Sequence, residues 1–120
     1  MIKNSKTYIE EAISSIKQIN PRQAKKELKE ILFLDVREKE ELETSNALKG
    51  DILIPRGLLE FYADPDSPYF DKRLKTEKKI VVFCTLGARG ALATKTLNDM
   101  GYNNACNLEG GLKKWEEETN

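Results

Sequence analysis

The chain has 120 residues, 39% of them hydrophobic and 33% charged, enough for one domain with its own core. Its 20 basic side chains balance 20 acidic ones, which excludes a nucleic-acid binder that works through bulk positive charge. No apolar run is long enough to span a bilayer, and residues 1–6 lack the apolar core of a secretory signal. A cytoplasmic protein is expected, with neither membrane nor nucleic acid among its partners.

Thr7 to about Lys17 reads as an amphipathic helix, with Thr7 and Glu10 as a capping box and Ile9, Ile13 and Ile16 at helical spacing. It is expected to pack on the domain or to pair with a partner. Residues 17–19 suit a short edge strand. Asn20-Pro21-Arg22-Gln23 is a second start signal, for a helix running to about Glu30. Ile31 to Val36 is apolar on both alternating faces until Asp35, as in a strand buried between helical layers. Glu38 to Thr44 reads as a short charged helix, in which Arg37 and Glu41, four apart, can pair. Residues 46–50 form a loop and residues 51–54 a short strand. Gly57 to Tyr62 is a short helix, and Asp64-Pro65-Asp66-Ser67-Pro68 is loop. Lys72 to Lys79 is basic, with Leu74 turned inward.

The most apolar strand, Ile80 to Phe83, follows and ends at Cys84. A loop with two glycines comes next, and then a helix from Ala88 to Met100 with Leu92, Ala93, Leu97 and Met100 at helical spacing and Gly101 as its cap. Residues 105–108 make a last short strand, and Gly110-Gly111 turns the chain into a helix carrying Leu112 and Trp115 to about Glu118. The alternation predicts an α/β domain: three layers, about five strands in a parallel sheet, helices on both faces, and an extra helix at the N-terminus. Residues 1–18 are expected to be that extension and 19–120 the domain proper.

Two cysteines, Cys84 and Cys106, read as thiols in such a chain. The absence of histidine rules out a Cys-His or Ser-His couple and any His-containing zinc site. A thiol is a poor nucleophile until it ionises, at a pKa of about 8.5 when free. Past a strand end, a loop curling into a helix can point successive N–H groups at one spot, and these favour an anion. Arg89 adds a permanent charge at the rim. Cys106 has no such context and reads as a small buried hydrophobe.

Four segments in this order resemble the rhodanese-homology (sulfurtransferase) domain: Leu34-Asp35-Val36-Arg37 with Glu41; Lys49-Gly50 through Ile54-Pro55-Arg56-Gly57-Leu58-Leu59-Glu60-Phe61; Val82-Phe83-Cys84 through Arg89-Gly90; and Asn107-Leu108-Glu109-Gly110-Gly111-Leu112-Lys113-Lys114-Trp115. The resemblance implies that Cys84 is the nucleophile. It would take a sulfane sulfur from a small anionic donor such as thiosulfate, hold it as a persulfide, and pass it to cyanide, a thiol or a protein thiol. Thr85, Leu86, Gly87, Ala88 and Arg89 would form the active-site loop. Arg89 would attract an anionic donor or pin the loop to neighbouring carboxylates. Asp35 and Arg37 are implied as scaffold around the site, and Arg56 as an anion-binding group near its mouth or a solvated turn residue. No metal and no organic cofactor is implied.

The sequence departs from the family pattern at Asn46-Ala47, where Gly-His is common, and at Gly90, where Ser is frequent. Thr85-Leu86 makes the pocket front less cationic than in relatives with Arg or Lys, which disfavours efficient use of dianionic thiosulfate. Two rivals remain. A phosphatase of the related cell-cycle type would have five residues between Cys and Arg, whereas four separate Cys84 from Arg89. A persulfide carrier docking a protein partner would use the same cysteine, with surfaces such as Tyr8 and Ile9 or Tyr69 and Phe70.

Overall fold

The computed structural model describes residues 1–44 and 47–119. Among them five strands, β1 (Gln18–Ile19), β2 (Ile31–Asp35), β3 (Ile52–Leu53), β4 (Lys79–Phe83) and β5 (Ala105–Leu108), form one sheet in the order β1-β5-β4-β2-β3. Every pairing is parallel. The helices are α1 (Ser5–Ser15), α2 (Pro21–Lys26), α3 (Leu59–Ala63), α4 (Ala88–Met100) and α5 (Gly111–Thr119). None is long and apolar enough to cross a membrane.

The continuous apolar character of β4 follows from burial on both faces. Ile80 and Val82 point to a core with Leu34, Ile52, Leu59 and Leu97, beneath α3 and α4. Val81 and Phe83 point to a second core with Phe33, Leu108, Leu112 and Trp115, beneath α2 and α5. There the Phe33 ring meets Phe83 and Trp115 edge-on, at 6.4 and 6.0 Å between centroids, an arrangement aromatic pairs favour. A parallel sheet gathers all strand carboxyl ends on one edge, so Asp35, Pro55 and Cys84 leave β2, β3 and β4 on the same side. The ladders run on past the strands: Val36 N donates to Phe83 O (3.1 Å) and Arg56 N to Val36 O (3.1 Å).

The N-terminal helix packs on α4, with Ala12 fully buried. Its cap is Asn4: the Asn4 carboxamide oxygen accepts from Thr7 N and Thr7 Oγ1, both at 2.8 Å. Thr7 thus lies inside the first turn, and the capping box expected there is replaced by an earlier cap of the same chemistry. The helix ends at Ser15, so Ile16 and Lys17 lead into β1. Asn20 caps α2 as expected, accepting from Gln23 N at 2.9 Å. That helix stops at Lys26, and residues 28–30 form a 3-10 turn that swings the chain into β2. Residues 39–43 are likewise 3-10, closed by a Glu38–Glu41 capping box. A 3-10 turn over 56–58 precedes α3. Leu74 is buried as expected, but Met100 is exposed, at the last residue of α4 before the left-handed Gly101. Tyr8 and Tyr69 are exposed. The expected departure at Asn46 lies outside the described residues.

Candidate active site

Cys84 follows β4 directly and is 1% exposed. Its Sγ accepts two backbone hydrogen bonds, from Gly87 N at 3.1 Å and Gly90 N at 3.3 Å. Gly87 is the N-cap of α4, in a left-handed conformation (φ 107°), and Gly90 is its third residue. The first N–H groups of a helix have no acceptor within it, and the partial positive charge there favours an anion. The sulfur therefore sits where the chain offers spare donors and a favourable field. The loop curls tightly enough to do this because Gly90 has no side chain: a Cβ there would lie 2.3 Å from Asn107 Oδ1.

The other side of the loop is held by α5. Leu112 N donates to Cys84 O (2.9 Å) and Lys113 N to Thr85 O (3.1 Å). Two helix starts thus converge on one turn, that of α4 on the sulfur and that of α5 on the carbonyls behind it. Gly111 makes the approach possible. Its φ is +64°, and a Cβ would fall 2.5 Å from Cys84 O and 2.6 Å from Thr85 O. The Glu109-Gly110-Gly111-Leu112 segment is thereby a clamp on the cysteine loop.

Arg89 closes the loop in a bidentate pair with Glu41: Nη1 to Oε2 at 2.7 Å and Nη2 to Oε1 at 2.8 Å. The guanidinium, with help from Glu38 N, holds the Glu41 carboxyl down at about 2 and is itself pushed up by that carboxylate. Of the two roles open to Arg89, attraction of an anion or pinning of the loop, the geometry is that of a pin. The Arg37–Glu41 ion pair expected from their spacing is replaced. Glu41 gives its carboxylate to Arg89, and Arg37 Nη1 donates to the Glu41 carbonyl at 3.3 Å.

Arg37 instead pairs with Asp35, both 1% exposed. Its Nη2 donates to Asp35 Oδ2 (2.9 Å), its Nε to both carboxylate oxygens, and its backbone N to Oδ1 (2.9 Å). A buried pair of this kind needs all its hydrogen bonds to offset desolvation. It fixes the end of β2 beside the cysteine loop. Arg56 donates to Glu60 Oε1 (3.2 Å) and to Thr96 Oγ1 on α4 (2.9 Å). It ties the turn after β3 to α4 rather than standing as a free, solvated turn residue. At the rim, Leu86 is 67% exposed, while Thr85 and Ala88 are half-buried.

Two participants escaped sequence reasoning. Asn107, fully buried in β5, donates from Nδ2 to Gly87 O (3.2 Å). Gly111 was legible as a turn but not as a clamp. The signal for Asn107 was an amide at an inward position of a strand. Cys106 lies in the second core, where burial pushes its thiol up. A recess of about 510 Å³ opens beside it, lined by Lys17, Glu27, Lys79 and Asn104 among others, and shares no residue with the cradle.

The class so defined is a small α/β domain with a parallel sheet, whose central strand runs into a cysteine contacted by two backbone amides. The rhodanese-like domain family matches residues 20–118, and the chain belongs to it. It is 34% identical over 87 residues to the adenylyltransferase and sulfurtransferase UBA4 of Meyerozyma guilliermondii, covering 72% of this chain and 20% of that protein. The chain thus spans about a fifth of that relative's length. It is 31% identical over 91 residues to human thiosulfate:glutathione sulfurtransferase, covering 71% of this chain and 78% of that one. A solved structure from Rhodopseudomonas palustris, of a protein of unknown function described as a possible tyrosine phosphatase, superposes with a TM-score of 0.91 at 33% identity, covering 99% of this chain and 93% of that chain.

Proposed function

We propose that this protein is a sulfurtransferase that carries a sulfane sulfur as a persulfide on Cys84. The observation that carries the reading is the double amide contact to Cys84 Sγ in a chain with no histidine. Such a site favours a thiolate without a general base, and the same donors suit the anionic terminal sulfur of a persulfide. With thiosulfate as donor, the Cys84 thiolate attacks the outer sulfur. A new S–S bond forms, the bond to the sulfonate sulfur breaks, and sulfite leaves with the electron pair. An acceptor, cyanide or a thiolate, then attacks the terminal sulfur, and Cys84 leaves as thiolate. No electron or proton is left unassigned, and no metal or organic cofactor takes part.

The pinned arginine argues against phosphate ester hydrolysis. Both terminal nitrogens of Arg89 are engaged by Glu41, and the loop of four residues between Cys84 and Arg89 presents two amides to a single sulfur. Incubation with thiosulfate followed by mass spectrometry tests the proposal. A gain of one sulfur mapped to Cys84, with loss of both adduct and thiocyanate formation in Cys84→Ala, is the expected result. Thiocyanate production that survives in Cys84→Ala would sink it.

A further inference from the structure

Asn107 touches the cradle at both of its donor residues, Gly87 and Gly90. Its Nδ2 donates to the carbonyl of Gly87, whose own amide holds Cys84 Sγ. The same Nδ2 donates to Gln18 Oε1 of β1 at 2.9 Å. Its Oδ1 has no hydrogen-bond partner and is aimed at Gly90, so close that a Cβ on that residue would sit 2.3 Å away. The Gly90 amide is the other donor to the sulfur. A buried amide oxygen without a partner is unfavourable and calls for a reason. Here the fixed direction of Nδ2 supplies it. With Nδ2 bound on two sides, the rest of the carboxamide is forced against the first turn of α4.

We infer that Asn107, held by Gln18, is a positioning residue for sulfur transfer, setting the Gly87 and Gly90 amides on the cysteine sulfur. This rests on the sulfurtransferase reading for its consequence in turnover, but not for its geometry. Gln18 belongs to the segment before the matched family region, which begins at residue 20. The relay Gln18–Asn107–Gly87 therefore ties the N-terminal segment to the cradle. The packing of α1 on α4, whose N-cap and first turn supply the two N–H groups, acts on the same element.

The test compares Asn107→Leu and Gln18→Leu with the unaltered chain. Neither side chain reaches the donor or acceptor sulfur, so kcat is expected to fall about tenfold for Asn107→Leu, and less for Gln18→Leu, at unchanged KM. A second readout needs no sulfur donor: alkylation of Cys84 by iodoacetamide at pH 6, followed by mass spectrometry. Loss of the ordered amide contacts to the sulfur is expected to slow alkylation about threefold. Unchanged alkylation and kcat per folded molecule, with or without a lower melting temperature, would make Asn107 a packing residue only and overturn the inference. If slowed alkylation is seen but no sulfur transfer is found in the unaltered protein, the inference stands and the sulfurtransferase reading falls. Should Asn107→Leu fail to fold, Gly90→Ala measured alone and with Asn107→Ala replaces it. The added methyl collides with Oδ1, so the loss in alkylation rate is expected to be smaller in the Asn107→Ala background. Equal losses in both backgrounds would overturn the inference.

Discussion

Replacing Glu41 by Gln removes the charge that pins Arg89 and leaves the shape nearly intact. The Glu41 carboxyl is lowered from its ordinary 4.5 to about 2, a difference of about 2.5 units, or about 3 kcal/mol at most. That ceiling must be cut, because Arg89 is 39% and Glu41 31% exposed and water screens the pair. A bidentate, charge-assisted geometry argues against a negligible value, and about 1–2 kcal/mol is the expected cost. Because the folded-state pKa is depressed, the stabilisation is complete above the unfolded value of about 4.5. It is lost as pH falls towards 2. Urea unfolding of the two proteins should therefore show a gap of about 1–2 kcal/mol at pH 7 that narrows steadily below pH 4.5 and nearly closes by pH 2. Melting temperatures at pH 7 should differ by roughly 3–8 °C. A gap of the same size at pH 7 and pH 2.5, or none at pH 7, would refute the account of Arg89 as an electrostatic pin. Sulfur transfer should fall several-fold, since the loop end loses its tether.

Asp35→Asn removes the carboxylate that Arg37 Nε and Nη2 engage and should cost about 3 kcal/mol in urea unfolding at pH 7; a cost below about 1 kcal/mol would mean that this carboxylate does little to hold the end of β2. Gly111→Ala combines an unfavourable φ with a methyl group pressed on the Cys84 and Thr85 carbonyls. It should lower stability by about 2–4 kcal/mol and reduce turnover more than the folded fraction explains. Cys106→Ser should leave turnover intact, because its side chain lies in the core on the other face of the sheet. In the unaltered protein at pH 7 Cys106 should resist alkylation, since burial pushes its thiol up; a loss comparable to that of Cys84→Ala would make Cys106 a resolving thiol.

The layered sheet was legible because its signals are local and strong. Ile80 to Phe83 is apolar on both faces, Asn20-Pro21 starts a helix, and Gly101 ends one. Helix ends were less legible, since Asn4 and Thr7 offer the same capping chemistry three residues apart. The strand, loop and helix around Cys84 could be read from Gly87, Arg89 and Gly90. Partners across the fold could not. The spacing of Arg37 and Glu41 suggests a helical pair, but residues 39–43 wind as a 3-10 turn, and Arg89, 48 residues away, takes the carboxylate. Asn107 and Gly111 act through contacts between β5, α5 and the loop, which no periodicity encodes.

The sheet's outermost strands, β1 and β3, have two residues each, and each is followed within two positions by a proline, Pro21 and Pro55. A strand from another molecule meets only a two-residue ladder there, then a residue with no N–H to offer. The long apolar strands β2 and β4 are kept from self-association by this economy at the margins. The protection on one side is conditional. Were the N-terminal segment to detach, β1 would leave with it and uncover the edge of β5, four residues long and wholly buried in the folded chain. Self-association should therefore begin at β5, and substitutions that loosen α1 should promote it before they unfold the domain.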